Sequence, residues 1–295
     1  MAGTSASDEG VATGGVSPIW FVVVAVLLWS TGGLFIKSST LSAAELSGAR
    51  ALFAAATVML LTRQEGFRLN LVTAVAAVFY AALLYLFVRA TMMTTAANAI
   101  FLQYTAPVYI LLAEPFFFKE KYRAGDFVVV AFCIVGMSLF FVGQLRPQDV
   151  EGNFLALGSG ACFAVFFLLL RHPRTREVNR ASSVIYGNLL LALVMLPAII
   201  QGAEHFTTTN ILIAAYLGIV QLGVAYTLLT LGIARGVKSL DAGIIGYIEP
   251  VLNPVWVFLF IGERPAKWAL LGGAIIIAAV ASHTIWAARK AVRRQ

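Results

Sequence analysis

The sequence predicts an all-α integral membrane protein: ten transmembrane helices forming two inverted five-helix repeats, with both termini cytoplasmic. Three observations predict it. Hydrophobic residues make up 60% of the 295 and charged residues 12%, with a mean hydropathy of +0.87, far from the composition of a soluble domain. The second half repeats the first at an offset of 143, which maps Tyr104 onto Tyr247, Pro107-Val108 onto Pro250-Val251, Phe117 onto Phe260 and Glu120 onto Glu263. Asn98 falls on Asp241 in the same frame. Tyr, Pro and Glu are scarce in apolar runs, so these matches weigh more than paired Val or Ala. The third observation is a lopsided distribution of Lys and Arg.

Residues 1–17 are small, polar and without Lys or Arg, so they read as a disordered cytoplasmic tail rather than the basic start of a signal peptide. Apolar runs follow at 18–37, 43–62, 69–89, 96–118 and 125–143, and again at 152–171, 181–201, 209–233, 240–261 and 267–288. At 1.5 Å per residue, about 20 residues cross a hydrocarbon core of ~30 Å. The runs are continuous rather than alternating, which excludes a β-barrel. The charge sits in the breaks, as at Arg63–Arg68, Lys119–Arg123, Arg171–Arg180 and Gly262–Lys267. The two repeats therefore span 18–143 and 152–288, and residues 289–295 form a basic cytoplasmic tail.

With the N-terminus cytoplasmic, fifteen Lys and Arg fall on the cytoplasmic side. Five (Lys37, Arg89, Arg146, Arg264 and Lys267) fall outside, and Arg50 alone lies inside a helix. That is the positive-inside bias. It assigns the net charge of +7 to topology and anionic lipid head groups, and no nucleic-acid partner is expected. Because five is odd, the two repeats enter the membrane from opposite sides. Exchanging the conformations of inverted halves opens a midplane site to each side in turn, which is the basis of alternating access.

Cys133 and Cys162 lie in different halves and read as packing residues. His172, His205 and His283 are far apart, and no His/Cys/Asp/Glu set has metal-ligand spacing, so no metal or cofactor is expected. No nucleophile–base pair or carboxylate dyad appears in the spans, which sets an embedded enzyme aside. A passive scaffold or channel would not need inverted halves.

Several motifs resemble a known family, the drug/metabolite transporters built from two EamA domains. Trp29-Ser30-Thr31-Gly32 resembles its "LLWGS" segment and Ala49-Arg50-Ala51-Leu52 its "aRfll" segment. Thr105-Ala106-Pro107-Val108 through Glu120 to Gly136 resembles the "P…llllgE…G" signature, and Ile248-Glu249-Pro250-Val251 through Gly262-Glu263 to Gly272-Gly273 is its second copy. The resemblance covers about 18–288. It implies a ten-helix secondary transporter, in keeping with the lack of a G-x-x-x-x-G-K-[ST] phosphate loop. Length and aromatic content are similar to the amino-acid exporters of the YddG type. The resemblance thus implies export of small metabolites, amino acids including hydrophobic or aromatic ones, across the inner membrane. Membrane lipids are the other expected partners, and the chain is expected to act as a monomer. Proton-coupled efflux of lipophilic cations is the alternative.

Ionisable groups within a span cost at least ~2.5–3.5 kcal/mol at the helix centre, so each requires a reason. Arg50 offers either a fork for a substrate carboxylate or a clamp on helix carbonyls. Glu114, one turn from the end of its helix, can snorkel. Glu249 precedes Pro250 deep in the ninth helix, where it can couple a proton, bind an ammonium or cap a helix. Its repeat partner is Ala106, so symmetry does not require the charge. Pro107, Pro250 and Pro254 predict kinks that serve as hinges or as static bends. The remaining pathway candidates are Trp29, Ser30, Tyr80, Tyr85, Asn98, Gln103, Tyr104, Tyr186, Asn188, Gln221, Tyr226 and Tyr247. Trp20 and Trp286 read as interfacial anchors. With Arg50 the sole basic residue inside a span, a phosphate or nucleotide-sugar solute is disfavoured.

Overall fold

A computed structural model of the chain describes residues 17–118, 124–142, 147–170, 172–179, 181–237, 242 and 245–292. Among them every regular element is helical. The expectations for the N-terminal tail, for Glu120 and Asp241, and for the side chain of Glu114 lie outside the described residues.

Helices form where the apolar runs do, and polar residues set their ends. α1 (Pro18–Ser30) starts with proline in its first turn, where the missing N–H costs nothing. At its end Ser30 Oγ and Thr31 Oγ1 donate to the Leu27 and Leu28 carbonyls (2.7 and 2.6 Å). Side-chain hydroxyls thus compete with backbone donors at the last carbonyls, and the chain restarts after Thr31 as α2 (Gly32–Ser38). A Ser42/Glu45 capping box opens α3 (Ala43–Thr62), and an Asn70/Thr73 box opens α4 (Leu71–Met93). Such a cap contributes typically ~1 kcal/mol.

The run at 96–118 is two helices, α5 (Ala96–Gln103) and α6 (Ala106–Phe118), separated at Tyr104-Thr105. The kink expected at Pro107 is therefore a break placed upstream of it. Pro107 falls in the first turn of α6, where it needs no donor, and Thr105 Oγ1 satisfies the Leu102 carbonyl at 2.6 Å. α7 (Ala124–Leu139), α8 (Pro147–Leu170) and α9 (Ser182–Gln201) follow, the last with Pro197 in its interior. The next run begins as α10 (Thr208–Ala215), widens to a π-helix at Tyr216–Val224 and resumes as α11 (Ala225–Ala234). α12 (Ile248–Ile261) begins one residue after a turn at Tyr247, which puts Pro250 in its first turn and Pro254 in its interior. It stops at Gly262, whose φ of 79° suits glycine. α13 (Lys267–Val292) closes the described chain.

Seven stretches are long and apolar enough to cross a membrane: Pro18–Ser38, Ala43–Glu65, Leu71–Met93, Ala96–Ala113, Pro147–Leu170, Ser182–Gln201 and Thr208–Ile233. Three shorter apolar helices, Phe127–Leu139, Ile248–Ile261 and Lys267–His283, join them, making a multi-pass membrane protein. The halves interlock. α4 packs on α8 and α9, α3 on α9 and the π-helix, α1 on α11, and α7 on α13. At the last contact a Cβ on Gly136 would meet the Gly272 carbonyl at 2.9 Å, and one on Gly272 the Gly136 carbonyl at 2.5 Å. Two backbones approach there because neither carries a side chain.

Candidate functional site

Polar side chains from several elements meet at the helix breaks. Tyr104, at the α5/α6 break, and Tyr247, just before α12, pack together with ring centroids 6.2 Å apart. The Tyr104 hydroxyl lies 2.8 Å from Glu249 Oε2 and 3.0 Å from the Gly246 carbonyl, so one hydroxyl proton faces two acceptors. Glu249 sits in the first turn of α12, where the exposed N–H groups of a helix start favour a carboxylate.

A second group surrounds the α1/α2 break. Ser30 is fully buried and accepts from Trp256 Nε1 of α12 at 3.0 Å, while Thr31 Oγ1 and Tyr216 Oη of the π-helix share a hydrogen bond at 3.1 Å. Since Thr31 directs its hydrogen to Leu28, Tyr216 is the donor. The glycines after the break let two amides close in. A Cβ on Gly32 would stand 3.0 Å from Gln221 Nε2, and one on Gly33 only 2.1 Å from Asn253 Oδ1. Both amides are buried. Gln221 Oε1 has no hydrogen-bond partner, nor has either polar atom of the Asn253 amide.

Arg50 is buried within α3, and its Nη2 donates to the Leu84 carbonyl of α4 at 3.1 Å. Its Nε has no partner, and neither has the hydroxyl of Ser47 one turn earlier. Tyr80 packs its ring on Phe166 (5.1 Å) inside an apolar cluster, and Asn188 donates to the Val184 carbonyl at 2.9 Å, leaving Oδ1 unpartnered.

Two chains of amides and hydroxyls cross the half boundary. Gln103 Nε2 donates to Ser159 Oγ (2.8 Å), which donates to the Leu83 carbonyl (2.8 Å). Asn98 Nδ2 and Thr94 Oγ1 both donate to Asn153 Oδ1 (3.0 and 3.1 Å), and Asn153 Nδ2 continues to the Phe140 carbonyl (3.0 Å). Beside them Lys37 Nζ binds Glu263 Oε2 (2.8 Å) and the Thr94 carbonyl (2.6 Å), while Glu263 Oε1 accepts from the Ala96 N–H at the start of α5 (2.7 Å). At the α9–α10 loop His205 Nδ1 meets Glu45 Oε1 at 2.8 Å, which raises the imidazole pKa above its ordinary value.

Four expected pathway residues are placed elsewhere. Trp29 packs with the small apolar cluster around Val22, Val26 and Val237. Tyr85 accepts from Arg89 one turn on (3.4 Å), which itself pairs with Glu151 (3.1 Å). Tyr186 holds the Phe67 carbonyl of the α3–α4 loop, and Tyr226 packs against the second apolar cluster. Conversely, Thr31, Tyr216, Asn253 and Trp256 join the site without having been singled out. Of these Asn253 carried a signal, a primary amide between two prolines of an apolar run; the others depend on pairings across 185 or more positions.

Groups of three or more His, Cys, Asp or Glu that could hold a metal are absent among the described residues. The site can solvate a small polar molecule and hold or release a proton at Glu249. Its layout, with unpartnered amides beside interrupted helices, suits transport.

Comparison with known proteins agrees. The threonine/homoserine exporter RhtA of Escherichia coli (strain K12) is 28% identical over 280 residues, covering 90% of this chain and 92% of the relative. The uncharacterized transporter YwfM of Bacillus subtilis (strain 168) is 25% identical, with 84% and 88% covered. The solute carrier family 35 member G1 of Mus musculus is 23% identical, with 88% and 75% covered. A protein of known crystal structure superposes with a TM-score of 0.64 at 20% identity, covering 92% of this chain and 98% of that one, which shows a shared fold. The profile of the EamA-like transporter family matches residues 16–142 and again 150–284, and the chain belongs to that family.

Proposed function

We propose that the protein is a secondary transporter exporting small amino-acid-like metabolites, hydrophobic and aromatic ones included, across the inner membrane by alternating access. It crosses the membrane ten times as two inverted five-helix halves with both termini cytoplasmic. The observation that carries this reading is the coincidence of three helix breaks, at Thr31, Tyr104 and Tyr247, with buried amides that lack partners and a half-buried tyrosine–carboxylate pair that shares a single proton. In a bilayer such breaks persist only where they line a solute path or are buried in protein. Similarity to a threonine/homoserine exporter points to amino acids as the solute class. The contact between Tyr104 and its repeat partner Tyr247, beside Glu249, supports the reading of two halves related about a shared axis.

Arg50, Asn98, Gln103, Gln221 and Asn253 then offer polar contacts along the path, and Pro107, Pro250 and Pro254 flank the segments that change conformation. Purified protein in liposomes, assayed by counterflow of a labelled amino-acid panel under imposed proton gradients, tests the reading. Saturable flux of at least one amino acid is expected. No amino-acid flux together with saturable flux of a cationic dye would sink it in favour of proton-coupled efflux of lipophilic cations. That second reading is favoured by Glu249, where a proton taken by the carboxylate would let Glu249 donate to the Tyr104 hydroxyl while that hydroxyl donates to the Gly246 carbonyl.

A further inference from the structure

Arg50 stands apart from every other basic residue of the chain. It lies in the body of α3, whereas Lys37 and Arg89 sit near the ends of α2 and α4 and each pairs with a carboxylate; it is 1% exposed, and among the described residues no carboxylate pairs with it. Of the donors its guanidinium carries, Nη2 meets the Leu84 carbonyl at 3.1 Å and Nε meets nothing. A guanidinium stays protonated, so the charge cannot be shed to relieve burial. Beside the Leu84 carbonyl it interacts electrostatically with the buried phenol of Tyr80, and neither group brings the carboxylate charge that would neutralise it.

Helix geometry shows where the free donors lie. At 100° per residue, Arg50 is about 200° around α3 from Gly48, and a Cβ on Gly48 would meet Met195 and Ile199 of α9 at 2.7 and 2.8 Å. The guanidinium therefore leaves α3 on the side away from α9, toward α4. Ser47 lies three positions earlier on the same face, fully buried, with its hydroxyl also unpartnered. A cation and a hydroxyl, both buried and both short of acceptors, thus stand one turn apart.

We propose that Arg50 and Ser47 form a binding subsite for the carboxylate of the transported solute. The inference rests on the transport reading above and adds the group by which the solute is recognised. A carboxylate supplies the missing elements together: one negative charge, and two oxygens for the guanidinium fork and the serine hydroxyl. A phosphate dianion would bring more charge than this lone cation balances. A neutral or cationic solute would leave the guanidinium as it is. The bond to Leu84 orients the guanidinium and leaves its other donors for the solute.

The test compares a carboxylate with its neutral amide. In liposomes, counterflow of labelled L-threonine is competed by unlabelled L-threonine and by L-threonine amide. For the native protein the acid competes about tenfold or more better than the amide, the difference expected of a charge-assisted contact. Arg50→Gln reduces the ratio to within about twofold by weakening the acid alone, and Arg50→Lys keeps part of the preference. Ser47→Ala, which preserves the buried cation, raises the half-saturating concentration of threonine about fivefold without altering inhibition by the amide. If Arg50→Gln transports with the native preference, or if Ser47→Ala leaves both ligands unchanged where Arg50→Gln does not fold, the subsite is overturned and Arg50 is a clamp on α4. If the native protein moves no amino acid of the panel at all, the transport reading itself falls, a result separate from either variant's.

Discussion

Tyr104 and Tyr247 occupy the same place in the two halves of the chain, and their rings meet at 6.2 Å directly beside the carboxylate of Glu249. The contact joins symmetry to its exception. Tyr104 caps the end of α5 and Tyr247 the start of α12, and each precedes a proline by three positions, yet only the second half places an acid between tyrosine and proline, where the first has Ala106. One hydroxyl proton serves both Gly246 and Glu249. If Glu249 couples proton movement to the exchange of halves, Glu249→Gln abolishes pH-driven transport while counterflow persists. Unchanged pH dependence in reconstituted vesicles removes that role.

Removing the Tyr104 hydroxyl separates bonding from packing. Tyr104→Phe keeps the ring against Tyr247 but leaves Glu249 Oε2 and the Gly246 carbonyl without their donor. Both bonds are half-buried, so losing the shared donor should cost about 1 kcal/mol, and thermal stability in detergent should fall. Glu249→Gln should then interact with Tyr104→Phe. A double-mutant cycle giving simple additivity would show that the two do not act together.

The Lys37–Glu263 pair ties α2, the α4–α5 junction and the α12–α13 loop at one point. Its side chains are 17% and 21% exposed, so screening weakens it less than a surface pair. Glu263 also closes the start of α5 through the Ala96 N–H. Glu263→Ala should destabilise by about 1–3 kcal/mol, because it strands both a cation and a helix-start donor. Glu263→Gln should cost less, since the amide oxygen still accepts from Ala96. The charge swap Lys37→Glu with Glu263→Lys should recover only part of the loss, as lysine offers Ala96 no acceptor. Thermal unfolding of the four proteins decides the order.

The positions of the helices were legible because apolar run length and polar caps are local properties. The run at 43–62 is α3 to the residue, and its Ser42/Glu45 box stands in the sequence. The breaks were half legible. Pro107 advertised a disturbance, but proline is tolerated in a first turn, so the interruption moved back to Tyr104-Thr105. The π-helix at Tyr216–Val224 left no mark, since it arises where Gly218 lets α3 approach, with the Arg50 carbonyl 2.4 Å from a would-be Cβ. Tyr186 looked like a cavity residue because an aromatic with a hydroxyl suits a pathway and a loop anchor equally; only its bond to Phe67 separates the two. Lys37 with Glu263 and Ser30 with Trp256 join residues 226 positions apart, a distance at which no pattern in one sequence speaks.

Gly33 should be among the least replaceable residues of the site. A methyl group there would fall 2.1 Å from Asn253 Oδ1 and 3.0 Å from its Cγ, inside contact distance of a fully buried amide. Gly33→Ala should lower both stability and flux, by about 1–3 kcal/mol in the former, as overpacking of a filled interior does. Asn253→Ala removes the obstructing amide and also its unsatisfied atoms, so the double variant should recover most of the stability. No recovery in thermal unfolding would mean that the glycine is needed for the α1/α2 break itself.

The loop contact between His205 and Glu45 makes stability at that end of the protein pH-dependent in a definite direction. The imidazole, 54% exposed, meets Glu45 Oε1 at 2.8 Å and faces Glu204 Oε1 at 3.8 Å. The hydrogen bond to Glu45, and then the charge of the two carboxylates, raise its pKa above the ordinary 6.5. A folded-state pKa above the unfolded one means that the unfolded chain releases the proton first as pH rises. The stabilisation is thus complete below about 6.5 and is lost as pH climbs through the higher folded value. Melting temperature should therefore fall on the alkaline side of 6.5, and His205→Gln should flatten that part of the profile, as should Glu45→Gln. The glycine at 202 belongs to the same device, because a Cβ there would stand 1.6 Å from Glu45 Oε1 and displace the carboxylate from the ring. Gly202→Ala should return the His205 titration, followed by NMR of labelled imidazole, toward its ordinary midpoint. A midpoint already at 6.5 in the native protein would show that the pair does not form.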